Sequence, residues 1–365
     1  MLILTLHRLV AKVLPKIPLR SVFVVPFILQ IFAAVGLTGY LSFKNGEKAV
    51  HEVASQLQNE ISDRIKQNLQ AYLATPHQIN QHNLDAVKLG LLNMQNLQPW
   101  EKYLWQQVQV YPYIFFMGVS TNQGLYRSGQ KLANGSLRMN VVDQSTGMNF
   151  YSYETNEKGG RTTISAAEKN IDTRKHTAYK DAVQAGKPTW SSVYTSWVEP
   201  TLILSAVRPV HDQDGQVVGI LNTALRLDYI GQFLNSLKIG KSGQAFIIER
   251  NGTLLATSTS EKPFRTINNQ RQLFKAIESS DPLTQATANY LTTHFGGFPK
   301  IQSLQQLDIE IVGKRQFLQV VPFQDTQGLD WRIVVVVPEA DFMEQIHHNT
   351  RITIFLCIVA FLMAT

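Results

Sequence analysis

At 365 residues the chain is long enough to hold more than one core. Its net charge of +7 is local: Arg8, Lys12, Lys16 and Arg20, with no acid among the first twenty residues, supply +4 of it and leave +3 for the other 345. That distribution argues for a membrane flank and against a nucleic-acid surface, and a lone cysteine, Cys357, excludes an intrachain disulfide framework and a cysteine-based zinc site.

Residues 1–20 read as a basic cytoplasmic leader. Ser21–Phe43 is 23 residues without a charge, enough for a helix to cross a hydrocarbon core of about 30 Å. Pro26, Gly36 and Gly39 are tolerable there because lipid keeps the backbone hydrogen-bonded. No small-x-small cleavage site precedes Lys44, which argues against a removed signal peptide. The positive leader predicts that the chain after Phe43 lies outside the membrane, and a cysteine-free outer part suits an oxidising compartment such as a periplasm.

A long helical region is predicted over residues 44–110. Val50, Val53, Leu57, Ile61, Ile65, Leu69 and Tyr72 step by three or four, an apolar stripe on a polar rod. The stripe can pack on the chain's own sheets and on the same helix of a second subunit, so a homodimer is expected. Pro76 is predicted to break the rod, with a second helical tract over about Leu84–Gln109.

Strand signals begin at Tyr111. Tyr113–Val119 reads as a buried strand ended by the turn at Thr121–Gly124, and Leu125–Ser128 and Leu137–Val142 as further strands. Asp143–Lys169 is polar and Gly-rich and reads as loop. In Asp172–Asp228 a helix over Tyr179–Ala185, stopped by Gly186 and Pro188, leads into three apolar runs, Thr189–Trp197, Leu202–Val210 and Val217–Leu227. Glu199-Pro200 and the Asp214-Gly215 hairpin signal separate them, which predicts an antiparallel meander. Residues 111–229 would form a first lobe, and residues 230–345 a smaller one of similar logic. In the second, Ile230–Leu237 is helical, Ala245–Glu249 and Thr253–Thr257 flank an Asn251-Gly252 turn, and helices are predicted over Gln270–Glu278 and Leu283–Phe295. Strands follow at Ile309–Val312, Lys314–Pro322 and Trp331–Val337. Ile352–Thr365 is fourteen uncharged residues, too few to span, so 346–365 reads as the start of a second transmembrane helix.

Several short motifs recur in a fixed order: Ala178-Tyr-Lys-Asp-Ala182, Gly186-Lys-Pro188, Trp190-Ser-Ser-Val-Tyr194, Ser205-Ala-Val-Arg-Pro-Val210, Asp214-Gly215, Val217-Val-Gly219, Leu227-Asp228 and Gly240-Lys-Ser-Gly-Gln-Ala-Phe246 followed by Asn251-Gly252. Together they resemble the double-Cache (dCACHE) family of extracytoplasmic sensor domains over about Lys44 to Gln345. The resemblance implies an α+β fold: two PAS-like antiparallel-sheet lobes on a long N-terminal helix, flanked by transmembrane helices. It also implies a multi-pass receptor of the cell inner membrane, of histidine-kinase, chemoreceptor or cyclase type, whose output part would follow Thr365.

In family members that bind amino acids, an Arg-x-Trp-Tyr segment holds the ligand carboxylate and an Asp late in the sheet holds its ammonium. The corresponding segment here is His176-Thr-Ala178-Tyr179, Ser196 stands two residues after Tyr194 where the family has an acid, and the terminal Asp falls on Ala224. A zwitterion would lose both charge-assisted partners, so a small-molecule ligand other than a free α-amino acid is expected. The candidate ligand-binding residues are Tyr179, Tyr194, Trp190, Trp197, Arg174, His176, Tyr126, Phe116 and Ser205, although aromatics in such strands also serve as core. His176 reads as a solvated histidine, and His347-His348 as a juxtamembrane polar pair. There is no Gly-x-Ser-x-Gly, phosphate loop, His-Glu-x-x-His or dinucleotide fingerprint, so no catalytic, metal or cofactor site is predicted in these residues. Two rival readings are an interaction module for a periplasmic binding protein and a membrane-anchored extracytoplasmic enzyme.

Overall fold

Helix α1 (Leu19–Lys88) carries both the apolar run and the amphipathic stripe. The computed structural model describes residues 19–267, 270–311 and 313–343, with positions 352, 355 and 359; residues 56–341 form one unit and those outside these bounds another. In the outer unit, Phe27, Leu29, Phe32, Leu37, Tyr40, Leu41 and Phe43 are exposed. Among the described residues α1 is the one helix long and apolar enough to cross a membrane, with a mean hydropathy of 1.6 over its most apolar 18 residues. The second predicted span lies outside the described residues but for three isolated positions, and the multi-pass arrangement has no support.

In the main unit, Ile61, Ile65, Leu69 and Tyr72 of the stripe are buried. Polar groups of the same helix bind both sheets described below. Gln58 Nε2 donates to Val335 O (3.4 Å), Ser62 Oγ to Gln319 Oε1, Tyr72 Oη to Arg226 O (2.8 Å) and Asn80 Nδ2 to Ala206 O (2.8 Å). Pro76 does not break the rod, contrary to expectation. The helix runs through it with one backbone donor missing; Pro76 is buried and its neighbours Leu73 and Ile79 pack into the core, so tertiary contact outweighs the lost bond. The helix instead ends at Lys88 before Gly90, which takes a positive φ of 72°, and a short α2 (Gln98–Val110) follows with Pro99 in its first turn.

The first sheet is antiparallel throughout. It contains β1 (Ile114–Thr121), β2 (Tyr126–Lys131), β3 (Leu137–Val142), β4 (Phe150–Thr155) and β5 (Arg161–Glu168). After α3 (Thr177–Ala185) come the two-residue strands β6 (Thr189–Trp190) and β7 (Tyr194–Thr195), then β8 (Leu202–His211) and β9 (Val217–Arg226). The order is β5-β4-β3-β2-β1-β9-β8-β6, with β7 also on β8. The stretch read as loop after Asp143 therefore holds a hairpin. Phe150-Tyr-Ser-Tyr alternates as a half-buried strand should, and a turn at Asn156–Gly160 returns the chain as an exposed edge. The run Thr189–Trp197 is likewise two short bridges rather than one strand.

Strand alternation gives this sheet two faces. Met117, Val119, Met139, Val141, Leu221, Thr223 and Ala206 share one with α1 and α2; Phe116, Ser120, Tyr126, Gln130, Asn140, Asn222 and Ser205 share the other. On the first face α2 lies so close to β2 that a Cβ at Gly129 would stand 2.8 Å from Leu104 O.

After α4 (Asp228–Ser236) a second sheet has the order β11-β10-β16-β15-β14. Its strands are β10 (Gln244–Glu249), β11 (Leu254–Thr257), β14 (Gln305–Ile311), β15 (Lys314–Gln324) and β16 (Asp330–Pro338). Helix α5 (Pro282–Phe295) covers it, burying Ala288 and Leu291 against Phe246, Ile248, Leu318 and Val334. The helix predicted over Gln270–Glu278 is not formed. Gln270–Leu273 is β13, paired in register with β12 (Phe264–Ile267), so a partner strand satisfies its backbone in place of a helix. The architecture is α+β, with antiparallel lobes on a long N-terminal helix.

Candidate functional site

The second face of the first sheet is roofed by α3 and by the segment after β7. Helix α3 begins where His176, in extended conformation, accepts the Ala178 N–H on Nδ1 (3.3 Å). It ends at Gly186, whose φ of 61° forms a left-handed cap. Ala178, Tyr179 and Ala182 then meet Val207 and Ile220 of the sheet. Between roof and sheet lies a cleft with about 510 Å³ of space between atoms, of which about 40 Å³ can hold the centre of a water molecule. It is a slot, not a chamber.

Six of the nine predicted residues line it: Phe116, Tyr126, His176, Tyr179, Tyr194 and Trp197. Ser205 stands behind Tyr194, their hydroxyls 2.7 Å apart. Arg174 does not line it; it is exposed and its Nε is 2.8 Å from Asp172 Oδ1. Trp190 is elsewhere altogether. It pairs with Ala206, whose side chain faces α1, so strand alternation turns Trp190 away from the cleft. There its Nε1 donates to Asp325 Oδ2 (2.6 Å) and its ring meets His77 edge-on at 4.6 Å.

His176 is not the solvated histidine expected from its polar segment. Its ring is wedged edge-on between Tyr194 (4.5 Å) and Trp197 (4.6 Å). Burial lowers its pKa to about 4, against a smaller upward pull from Asp181. The imidazole is therefore neutral at pH 7, and because Nδ1 accepts a hydrogen bond, Nε2 carries the proton. Burial also raises the Tyr126, Tyr179 and Tyr194 hydroxyls, so all three stay protonated.

The floor was not legible in advance. Asn140, Ser128, Gly118 and Asn222 are in register across β3, β2, β1 and β9, a row with no apolar side chain. Gly118 makes the row possible: a Cβ there would come within 2.7 Å of Asn222 Oδ1. Asn140 Nδ2 donates to Ser128 Oγ (3.0 Å) and Gln130 Oε1 (2.8 Å). Three amide atoms remain buried without partners: Gln130 Nε2, Asn140 Oδ1 and Asn222 Oδ1, on residues 1 %, 3 % and 5 % exposed. Such groups cost about 1–3 kcal/mol each when left alone. The three residues that carry this donor and these two acceptors line a slot in which no lining residue carries a formal charge. Ser120 and Thr173, also lining, are satisfied by each other at 3.0 Å and by Gly124 O at 3.1 Å from Thr173 Oγ1. The signal that could have found this floor is an amide side chain on the face that its own strand otherwise fills with apolar residues, as Asn222 between Ile220 and Ala224.

Among the described residues no three His, Cys, Asp or Glu side chains come together as a metal site would require; His347 and His348 lie outside those residues. The arrangement can hold a small polar molecule by hydrogen bonds and ring contacts.

A family model described as a Cache domain (dCache_1) matches residues 46–346. The methyl-accepting chemotaxis protein PctB of Pseudomonas aeruginosa is 27% identical over 168 residues, 46% of this chain and 23% of that protein. The chain thus spans about a quarter of the length of the curated relatives it matches. The solved ligand-binding domain of the Pseudomonas fluorescens chemoreceptor CtaA in complex with L-isoleucine superposes with a TM-score of 0.50 at 13% identity, covering 82% of this chain and 98% of that one. A methyl-accepting chemotaxis protein X gives 0.51 at 12% identity, covering 80% and 99%. At such identities these two structures establish the fold.

Proposed function

The chain belongs to the Cache-domain family, in its double-lobed form, and from that premise we propose that it is the sensory part of a transmembrane receptor. A small ligand enters the slot of the first lobe, and its binding shifts the sheet against α1. The observation that carries this reading is the buried floor. Orphaned amide atoms on three residues that line one slot destabilise the empty lobe and are relieved by a molecule that supplies the missing partners.

The similarity to chemotaxis proteins and a chemoreceptor supports a receptor of chemoreceptor type; in this reading the apolar start of α1 lies in the inner membrane, the lobes lie on its outer side and α1 pairs with a second copy. Signalling requires that the ligand prefer one arrangement of the lobe, and about 5.5 kcal/mol of differential affinity moves a 1:99 population to 99:1.

The test is a thermal-shift screen of small metabolites on the full chain in detergent, run beside Ala178→Trp. Ala178 is 1 % exposed and lines the slot, so an indole there fills it. At least one compound should raise the melting temperature of the parent chain, and the same compound should leave the variant unmoved. A stabilising ligand that acts equally on both would place binding outside the slot and refute the proposal.

A further inference from the structure

The slot's chemistry narrows its ligand, an inference that rests on the slot being the ligand site. We infer that this chain recognises a flat, uncharged amide, ureide or lactam, and not a zwitterionic amino acid or a carboxylate.

Charge comes first. The lining contains no Asp, Glu, Lys or Arg, and the nearest guanidinium on the roof side, Arg174, is exposed and held by both oxygens of Asp172 (2.8 and 3.1 Å). A carboxylate or ammonium brought into the slot would be stripped of water with no opposite charge to meet, a cost of several kcal/mol per ion. His176 offers an Nε2–H but no net charge.

Complementarity comes second. Gln130 Nε2 needs an acceptor, while Asn140 Oδ1 and Asn222 Oδ1 need donors. Asn140 presents its nitrogen to Ser128 and Gln130, which leaves its oxygen free, and the opposite placement of both amides would likewise leave a donor and an acceptor over. Asn222 Oδ1 lies over Gly118 and so leans from β9 toward β2. The unpartnered atoms thus converge from β9 on one side and β2 and β3 on the other. A molecule between them presents N–H groups at two edges and a carbonyl at a third, as amides, ureides and lactams do without carrying charge.

Shape comes third. Only about 40 Å³ admits water centres, and rings of Tyr126, Phe150, Tyr194 and Trp197 bound the slot. Narrow aromatic walls favour a planar body.

Paired probes test the inference by calorimetry on the full chain in detergent. Piperazine-2,5-dione is set against glycylglycine, its ring-opened zwitterion, and nicotinamide against nicotinate. Each neutral partner should bind at least tenfold more tightly than its charged counterpart. Asn222→Leu, close in size and unable to hydrogen-bond, should weaken the neutral probes about tenfold without lowering the ligand-free melting temperature, because it also removes an orphaned acceptor. A charged partner binding as tightly as its neutral one, or no binding of either neutral probe at about 10 mM (about ten-thousandfold above a micromolar Kd), overturns the inference. If the charged partners win and Ala178→Trp abolishes their binding, the ligand class is wrong and the slot stands. If binding ignores Ala178→Trp, the slot itself is not the site.

Discussion

His176 shows how one side chain sets the working range of the site. Its folded pKa of about 4 lies below the ordinary 6.5, and His77, buried beside Trp190, is lowered to about 4 in the same way, with Asp325 pulling up and Arg208 down. The unfolded chain binds more protons than the folded one between these values, so stability is full above pH 6.5 and falls as pH drops toward 4. At pH 5 each histidine should cost about 2 kcal/mol. Melting temperature recorded from pH 7.5 to 4.5 checks this. His176→Asn keeps a helix-capping side chain and should flatten roughly half of the slope; an unchanged profile would remove His176 from the account. The roof was legible in the sequence because aromatic residues between turn signals stand out. The floor was not, since Gln130, Asn140 and Asn222 acquire meaning only when β1, β2, β3 and β9 are placed in register, and the β1–β9 register joins residues about a hundred positions apart, as Gly118 with Asn222.

At the scale of elements, α2 is clamped to the sheet by charge as well as by the close approach at Gly129. Arg127, with only 6 % of its side chain exposed, bonds Glu101 of α2 at 2.7 Å and Asp143 beyond β3, and Glu101 also reaches Arg161 of β5 at 3.1 Å. Removing Glu101 leaves the buried Arg127 with Asp143 as its remaining carboxylate, so Glu101→Ala should lose about 2 kcal/mol in denaturant unfolding, the scale of one hydrogen bond to a charged group. Gly129→Val should be comparably damaging, because its Cβ meets the backbone of Leu104 and not a flexible side chain. A loss under about 0.5 kcal/mol for both would mean that α2 is not held by this contact. Elements announced by strong local signals were readable: the α1 stripe, the Asp214-Gly215 hairpin, and the β10–β11 turn at Asn251-Gly252. Those that failed were decided by packing and pairing, which local composition does not announce. Pro76 stays helical because its surroundings are packed, and β13 is a strand because β12 lies beside it.

Across the whole main unit, the two sheets meet at a few polar contacts in addition to sharing α1. Trp190 Nε1 donates to Asp325, Thr189 Oγ1 to Gln327 O (3.2 Å), and Thr195 Oγ1 bonds the Arg271 backbone at both O (3.2 Å) and N (3.3 Å). The Trp190–Asp325 bond has a charged acceptor, so a double-mutant cycle with Trp190→Phe and Asp325→Ala should return a coupling of about 1.5–3 kcal/mol; a value near zero would leave α1 as the main bond between the lobes. The strand β7 has a consequence of its own. It is only two residues long, and its neighbours project to opposite sides: Tyr194 into the slot, Thr195 onto the backbone of β13. So short a piece ties the two lobes through consecutive residues on the edge of β8: the slot wall and a bond to the second lobe are one peptide unit apart.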